Sequence, residues 1–358
     1  MATWWLRWQK IDWPLMGAIS MLLLLSTVMM YSINYDRFIK QLIIVLISLA
    51  SCFIIMQLDY RWFHNYAYVW YVTGIIILVA VLLFGSTIRG TTGWFQIGSF
   101  GLQPVEFVKI ILLFALARFF SDRAFNFSAW RTVALSAVLP AGYMVLVLLQ
   151  PDLGSTAVLI VIFLALLCLT NVRWQQIVVI VIVGLGCAAL AWLVLLQDYQ
   201  KDRLLTFIDS SRDPLRSGYN VTQAVVAVGS GQWFGRGLGL GTQSQLEFLP
   251  ERETDFIFAV IAEELGLFGA GSVIVLLGII IWRLWLCAQR QPDSYSTYYV
   301  LGLIILIVIH SVINIGMNIG VMPVTGLPLP FVSAGGSSLL ALLLAIGIVQ
   351  NVHSQTRN

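Results

Sequence analysis

The chain has 358 residues, of which 59% are hydrophobic and only 10% charged, with a mean hydropathy of +0.89 and a formal net charge of +3. That composition lies far outside the range of soluble globular domains and marks an integral membrane protein. So small a net charge in such a chain gives no reason to expect nucleic acid as a partner, and Cys52, Cys168, Cys187 and Cys287 stand singly without CxxC spacing, so neither metal nor redox use is expected of them.

Continuous apolar runs of roughly 20 residues, each long enough to cross a hydrocarbon core as a helix, recur along the sequence. Closed β-barrels, the other spanning architecture, need short alternating segments instead. The prediction is an all-α polytopic membrane protein of ten transmembrane helices, a single domain over 1–358, with a long extracytoplasmic loop at 197–254 between spans 7 and 8. At the start, WWLRWQK looks like the charged region of a signal peptide, but the first apolar run is long and no small-residue cleavage site follows it. It is read as retained, with Trp4, Trp5, Trp8 and Trp13 as interfacial anchors.

Spans are expected at 15–33, 38–57 and 66–84, and then comes a polar segment, 85–109, rich in glycine and aromatic residues. It reads as an ordered loop leading into a fourth span at 105–120, with Pro104 suited to a first helical turn. Glu106 and Lys109 make that span the least apolar. Their i, i+3 spacing lets them pair on one face, either to hold helices in register or to leave Lys109 as a phosphate ligand. A fifth span, 132–149, ends at QPDLGS, which puts Asp152 at the N-terminus of the sixth, 153–170, where the helix dipole and free N–H groups favour a carboxylate. Asp152 is either that cap or a second acidic group beside the site described below.

After a seventh span, 177–196, the long loop carries Lys201, Arg203, Arg212, Arg216, Arg236 and Arg252 and the glycine run GSGQWFGRGLGLG. Glycine-rich backbone can cradle phosphate, but no GK[ST] follows, so this is no Walker A loop, and tight turns over the membrane surface are the plainer reading. The loop ends in GTQSQLEFLPERETD, which runs through Asp255 into span 8, 256–285. A carboxylate at the edge of a bilayer is expensive and is taken as functional. Glu263 and Glu264 follow, Glu263 about 12 Å deeper by helical rise, and at least one must face a polar interior. On span 9, 298–318, His310, Asn314 and Asn318 form one polar stripe, for interhelical hydrogen bonding or for lining a cavity. The proline-rich 321–338, before span 10 at 333–352, must be irregular, and such backbone survives at membrane depth only against protein or a cavity. It closes the loop between two helices or walls a site on the outer side, with Ser337 offered to substrate.

With the N-terminus inside, short inner segments carry Arg7, Lys10, Arg61, Arg118, Arg123, Arg131, Arg173, Arg283, Arg290 and Arg357, against Arg37, Lys40 and Arg89 outside. By the positive-inside rule both termini are cytoplasmic and Asp255 faces outward.

Taken together, the ten spans, the long outer loop, QPVEFVK (103–109), QPDLGST (150–156), LPERETDFIFAVIAEELG (249–266) and PVTGLPLPFVSAGGSS (323–338) resemble the SEDS family of bacterial cell-wall proteins from about Trp13 onward. The stretch GTQSQLEFLPERETDFIFAV is more similar to the elongation-type, RodA-like branch than to the division-type, FtsW-like branch. Val105 stands where the family often has Ser, and Ala334 where an aromatic residue is common, departures that bear on local packing. The resemblance implies a peptidoglycan glycosyltransferase that polymerises lipid II at the outer face of the bacterial cytoplasmic membrane. It further implies a class B penicillin-binding protein as transpeptidase partner and other membrane proteins of the elongation complex. It makes Asp255 the essential acidic residue, read here as general base, and Glu106 with Lys109 the charged pair of the fourth span. Lys109, Glu106, Arg89, Asp152, Arg252 and Ser337 are the substrate-binding candidates, with a divalent cation, Mg or Mn, able to share the pyrophosphate charge. The rival readings are a lipid-precursor flippase, for which no inverted repeat is visible, and a non-catalytic scaffold, which leaves Asp255 without a purpose.

Overall fold

A computed structural model of the protein describes residues 10–88, 90–98, 100–123, 127–194, 200–201, 205–207 and 217–356. Trp4, Trp5, Arg7, Trp8, Arg89, Arg203, Arg212, Arg216 and Arg357 lie outside the described residues. In chain order the helices are α1 (Trp13–Ile33), α2 (Tyr35–Ile55), α3 (Tyr60–Asn65), α4 (Ala67–Phe84), α5 (Pro104–Asp122), α6 (Trp130–Leu149), α7 (Leu153–Cys168), α8 (Trp174–Val194), α9 (Ser217–Ser230), α10 (Thr242–Gln245), α11 (Ile257–Gln289), α12 (Ser294–Asn318) and α13 (Gly336–Thr356). A helix therefore stands at each place where a span was expected. Eight of these are long and apolar enough to cross a membrane; α5 is not among them, and α7 is a shorter apolar helix.

The reason α5 falls short is also the reason it is central. It packs against α4, α6, α12 and α13 and buries nearly its whole circumference, Glu106 and Lys109 included. A helix apolar almost all round belongs in a core, and its charges then meet protein instead of lipid. Gly302 of α12 lets Leu113 approach closely, and Phe114 stacks on Tyr299 with centroids 5.4 Å apart. At the other extreme, α8 buries only Gln176 and leaves its remaining surface for lipid. The end of the bundle that holds the start of α1 is locked by Asp12. It caps α1 through Leu15 N–H, and its carboxylate receives Arg283 of α11 at 2.8 to 3.1 Å.

The segment after α4, expected as an ordered loop, contains three short antiparallel strands, β1 (Ser86–Ile88), β2 (Thr91–Ile97) and β3 (Phe100–Leu102), with Trp94 opposite Ser86 and Phe95 opposite Leu102. They lead straight into Pro104 at the first turn of α5.

Span 8 is not one rod. Within α11, Gly266 adopts φ 66°, ψ −161°, which breaks the helix into 257–265 and 267–289. The glycine run of the preceding loop explains the break. Arg236 and Gly237 N–H groups donate to the carbonyls of Glu263 and Glu264, and Leu267 and Phe268 N–H groups donate to Gln232 and Trp233. The two severed helix ends are thus satisfied by the loop, as buried backbone requires. Such an approach needs residues without side chains, since a Cβ on Gly231 would strike the Ala262 carbonyl, while Gly237 and Gly239, at φ +101° and +73°, belong to a tight turn closed by the Leu240 N–H on the Gly237 carbonyl. Gly235 has φ +79°, and a Cβ on it would strike the Glu264 carbonyl. We expect Gly235→Ala to lower stability by about 3 kcal/mol, from positive φ and overpacking together, read as a lower thermal midpoint in detergent.

Glu263 and Glu264 both turn into this contact and are fully buried. Glu263 accepts from the Gln243 and Ser244 N–H groups at 2.8 and 2.9 Å, where α10 begins. Glu264 accepts from Ser32 Oγ at 2.5 Å, Gln245 Nε2 at 3.0 Å and Gly239 N–H at 3.2 Å. Both carboxylates, and not merely one, therefore face polar partners, all of them supplied by the loop and by α1.

Candidate active site

The turn before α11 presents Asp255. The Glu251 carbonyl accepts from the Thr254, Asp255 and Phe256 N–H groups at 3.1 to 3.3 Å, and Glu251 has a positive φ of 59°. This tight turn sets a half-buried carboxylate one residue before the N-cap of the broken helix.

The polar stripe of α12 holds the turn from below. Asn318 Nδ2 donates to the Asp255 carbonyl at 2.9 Å and Asn314 Nδ2 to the same oxygen at 3.1 Å, while Asn318 Oδ1 accepts from Ala259 N–H at 3.0 Å. Both asparagines are fully buried, so each pins main chain and neither lines an open cavity. Asn318→Leu would orphan the Ala259 N–H, a loss of about 1–3 kcal/mol. We expect the thermal midpoint in detergent to fall by a few degrees as the turn that carries Asp255 loosens.

The irregular segment after α12 closes over the same place. Asn314 also donates to the Leu327 carbonyl at 2.9 Å, and Ser333 Oγ donates to the Thr254 carbonyl at 2.6 Å. Ala334 N–H reaches the Glu253 carbonyl at 2.9 Å. Gly326, at φ +74°, lies so near that a Cβ on it would be 3.8 Å from Asp255 Oδ2. On its other flank this segment touches the start of α7, because a Cβ on Gly154 would sit 2.8 Å from the Thr325 carbonyl. Thr325 Oγ1 is buried there without a hydrogen-bond partner.

Asp152 caps α7 as its position suggested, accepting from Ser155 N–H at 2.9 Å and Ser155 Oγ at 2.7 Å. Burial raises its carboxyl above the ordinary aspartate value, against the pull of the two Ser155 hydrogen bonds; the charges of Lys109, which lowers it, and Glu106, which raises it, also reach this group. Those two residues form the predicted ion pair, Lys109 Nζ to Glu106 Oε1 at 2.7 Å. Lys109 is 0% exposed. Its second contact could not be read from sequence: His310 Nε2 at 3.1 Å, whose ring in turn lies 3.3 Å through Nδ1 from the Pro328 carbonyl.

The remaining candidates divide. Arg252 directs its guanidinium to the Ser244 carbonyl and to Glu247 at 3.0 Å, bracing the loop. Ser337 Oγ accepts from Gln103 N–H at 2.8 Å, fastening the first turn of α13 to the start of α5. Arg89 lies outside the described residues. Among the described residues no three His, Cys, Asp or Glu side chains converge, so they form no dedicated cation cage. The structure thus brings Asp255, Asp152, Glu106 and Lys109 around the 321–335 segment, and adds His310, Gly326 and Thr325.

A family model covering FtsW, RodA and SpoVE, described as cell cycle protein, matches residues 7–358. The chain is 37% identical over 314 residues to the peptidoglycan glycosyltransferase MrdB of Escherichia coli (strain K12), covering 87% of this chain and 84% of that protein. It is 35% identical over 323 residues to stage V sporulation protein E of Bacillus subtilis (strain 168), covering 89% and 87%. Among solved structures it superposes on rod shape determining protein RodA of Thermus thermophilus with a TM-score of 0.74 at 29% identity, over 97% of this chain and 98% of that one. It also superposes, with a TM-score of 0.85 at 30% identity and coverage of 97% and 98%, on a chain from a peptidoglycan synthase complex described as coordinating polymerization and crosslinking.

Proposed function

The chain belongs to the FtsW, RodA and SpoVE family of cell cycle proteins, and from that premise we propose that it joins lipid II units into glycan strands at the outer face of the membrane with Asp255 as general base. It is a multi-pass membrane protein and a peptidoglycan glycosyltransferase of the elongation type. The observation that carries the choice of base is the placement of Asp255. Its backbone is pinned by two buried asparagines while its carboxylate lies beside a glycine.

In the reaction, the 4-hydroxyl of an N-acetylglucosamine attacks the anomeric carbon of an N-acetylmuramic acid. The new C–O bond forms as the bond to polyprenyl pyrophosphate breaks, and the hydroxyl proton passes to the base. A rigid backbone keeps the carboxylate within reach of that proton without reorganisation. The departing pyrophosphate gains negative charge and needs cations or donors where that charge develops. Arg89 and the arginines of the outer loop are the candidates for that contact. Lys109 is sealed beneath the 321–335 segment and contributes through its neighbours.

A class B penicillin-binding protein is the proposed partner, supported by the likeness to a chain from a complex that coordinates polymerization with crosslinking. Both termini are assigned to the cytoplasm from the distribution of Lys and Arg. The test is chain growth from purified lipid II by this protein with such a partner. Long strands are expected. Labelled lipid crossing sealed vesicles without chain growth would replace this reading with transport.

A further inference from the structure

We propose that His310 is a positioning residue that ties the buried Glu106–Lys109 pair to the segment walling Asp255, so that the pair acts on the reaction through His310 and not by touching pyrophosphate. The inference rests on the reading of Asp255 as base.

The geometry fixes the proton positions on the ring. An ammonium group only donates, so at 3.1 Å from Lys109 Nζ the His310 Nε2 must offer its lone pair. A neutral imidazole then carries its hydrogen on Nδ1. That nitrogen is 3.3 Å from the Pro328 carbonyl, to which it donates. His310 is 2% exposed and Lys109 0%, so the contact between them is buried, where an unmade hydrogen bond is costly, and the contact to the Pro328 carbonyl is part-buried. The result is one continuous line of polar contacts, Glu106 to Lys109 to His310 to the Pro328 carbonyl.

Pro328 is where this line matters. It lies two residues after Gly326, where an added Cβ would be 3.8 Å from Asp255 Oδ2. The neighbouring Leu327 carbonyl is held by Asn314, which also holds the Asp255 carbonyl. Asn314 therefore fixes the wall relative to the base from one side, and His310 fixes it relative to α5 from the other. A proline has no N–H and the segment has no regular ladder, so these side chains are what set the path of the wall at this point. Remove His310 and the wall keeps its covalent path and its anchor at Ser337 but loses its hydrogen-bonded link to α5 at Pro328. A misplacement of about 1 Å at a reacting group can cost on the order of 100-fold in rate.

The test compares His310→Leu, which removes both contacts, with His310→Gln, whose carboxamide oxygen can accept from Lys109 while its nitrogen donates to Pro328. In purified protein with its partner, the Leu variant is expected to lose about 10- to 100-fold in kcat with KM for lipid II within about threefold. The Gln variant is expected within about threefold of native kcat. Amide exchange should speed up in 321–335 for Leu alone, with α12 protected as in the native protein. That exchange is read without chemistry, so it judges the tie even if Asp255→Asn, run alongside, proves active and removes the base reading. Native kcat in the Leu variant would overturn the proposal. So would a rise in KM alone, which would put His310 in contact with substrate. Equal loss in Leu and Gln together with a lower thermal midpoint would reduce His310 to packing.

Discussion

Asp255→Asn is expected to produce no detectable glycan strands from lipid II. The substitution keeps the size of the side chain and leaves the main chain, which Asn314 and Asn318 hold by the carbonyl of residue 255, as it is. Folding and assembly with the partner should be native. What disappears is the capacity to take a proton, and loss of a positioned base typically costs about 10²- to 10⁴-fold. The measurement is strand formation from labelled lipid II at matched complex concentration, with co-purification of the partner as the control for assembly. Strands from Asp255→Asn within about threefold of native yield would move the chemistry to another group.

Lys109→Met carries the second large effect, and its primary loss is in stability. Glu106 would be left in the core beside an apolar tip, and breaking a buried ion pair from one side typically costs about 3–5 kcal/mol. A low yield of folded protein and a lower thermal midpoint in detergent are expected. Replacing both partners, Lys109→Met with Glu106→Leu, removes the orphaned charge and should restore most of the midpoint, since apolar replacements of a whole buried pair are often neutral. Polymerisation should not return with it, because His310 has then lost the partner that fixes its orientation. A double variant as unstable as the single one would show that the cost lies in packing. A fully active double variant would show that the pair serves stability alone.

The apolar runs made the helices legible, because a bilayer demands long stretches of one chemistry and leaves the chain few alternatives. The Glu106–Lys109 contact was equally legible, since i, i+3 neighbours must share a helix face. Asp152 was legible as a cap for the same local reason. The third member of the charge cluster was not, because His310 is separated from Lys109 by 201 positions and nothing in a stripe of polar residues says which helix it meets. The two asparagines of that stripe were expected to join helices or line a cavity; Asn318 does join α12 to α11 through the Ala259 N–H, and both also grip the turn carrying Asp255, which the stripe alone could not announce. The glycine run shows the same limit. Its spacing announces close backbone approach but not to what, and the partner, the broken middle of α11, carries no proline to mark it. Arg252 and Ser337 were chosen by type and place near the site. The structure gives both of them structural work on the loop and the strand that frame it.

The joint at Gly266 divides α11 into two unequal pieces. The rod below it, 267–289, is about 34 Å long at 1.5 Å per residue, enough to cross the hydrocarbon core alone. The short piece above it, 257–265, is stitched through Glu263 and Glu264 to the outer loop and to Ser32. Both pieces meet the glycine run of the loop at the joint, the upper through the Glu263 and Glu264 carbonyls and the lower through the Leu267 and Phe268 N–H groups, so the loop takes the place of the missing rungs of the α11 ladder. A span that a single glycine divides thus has one piece long enough to cross the membrane and one short piece that belongs to the frame of Asp255.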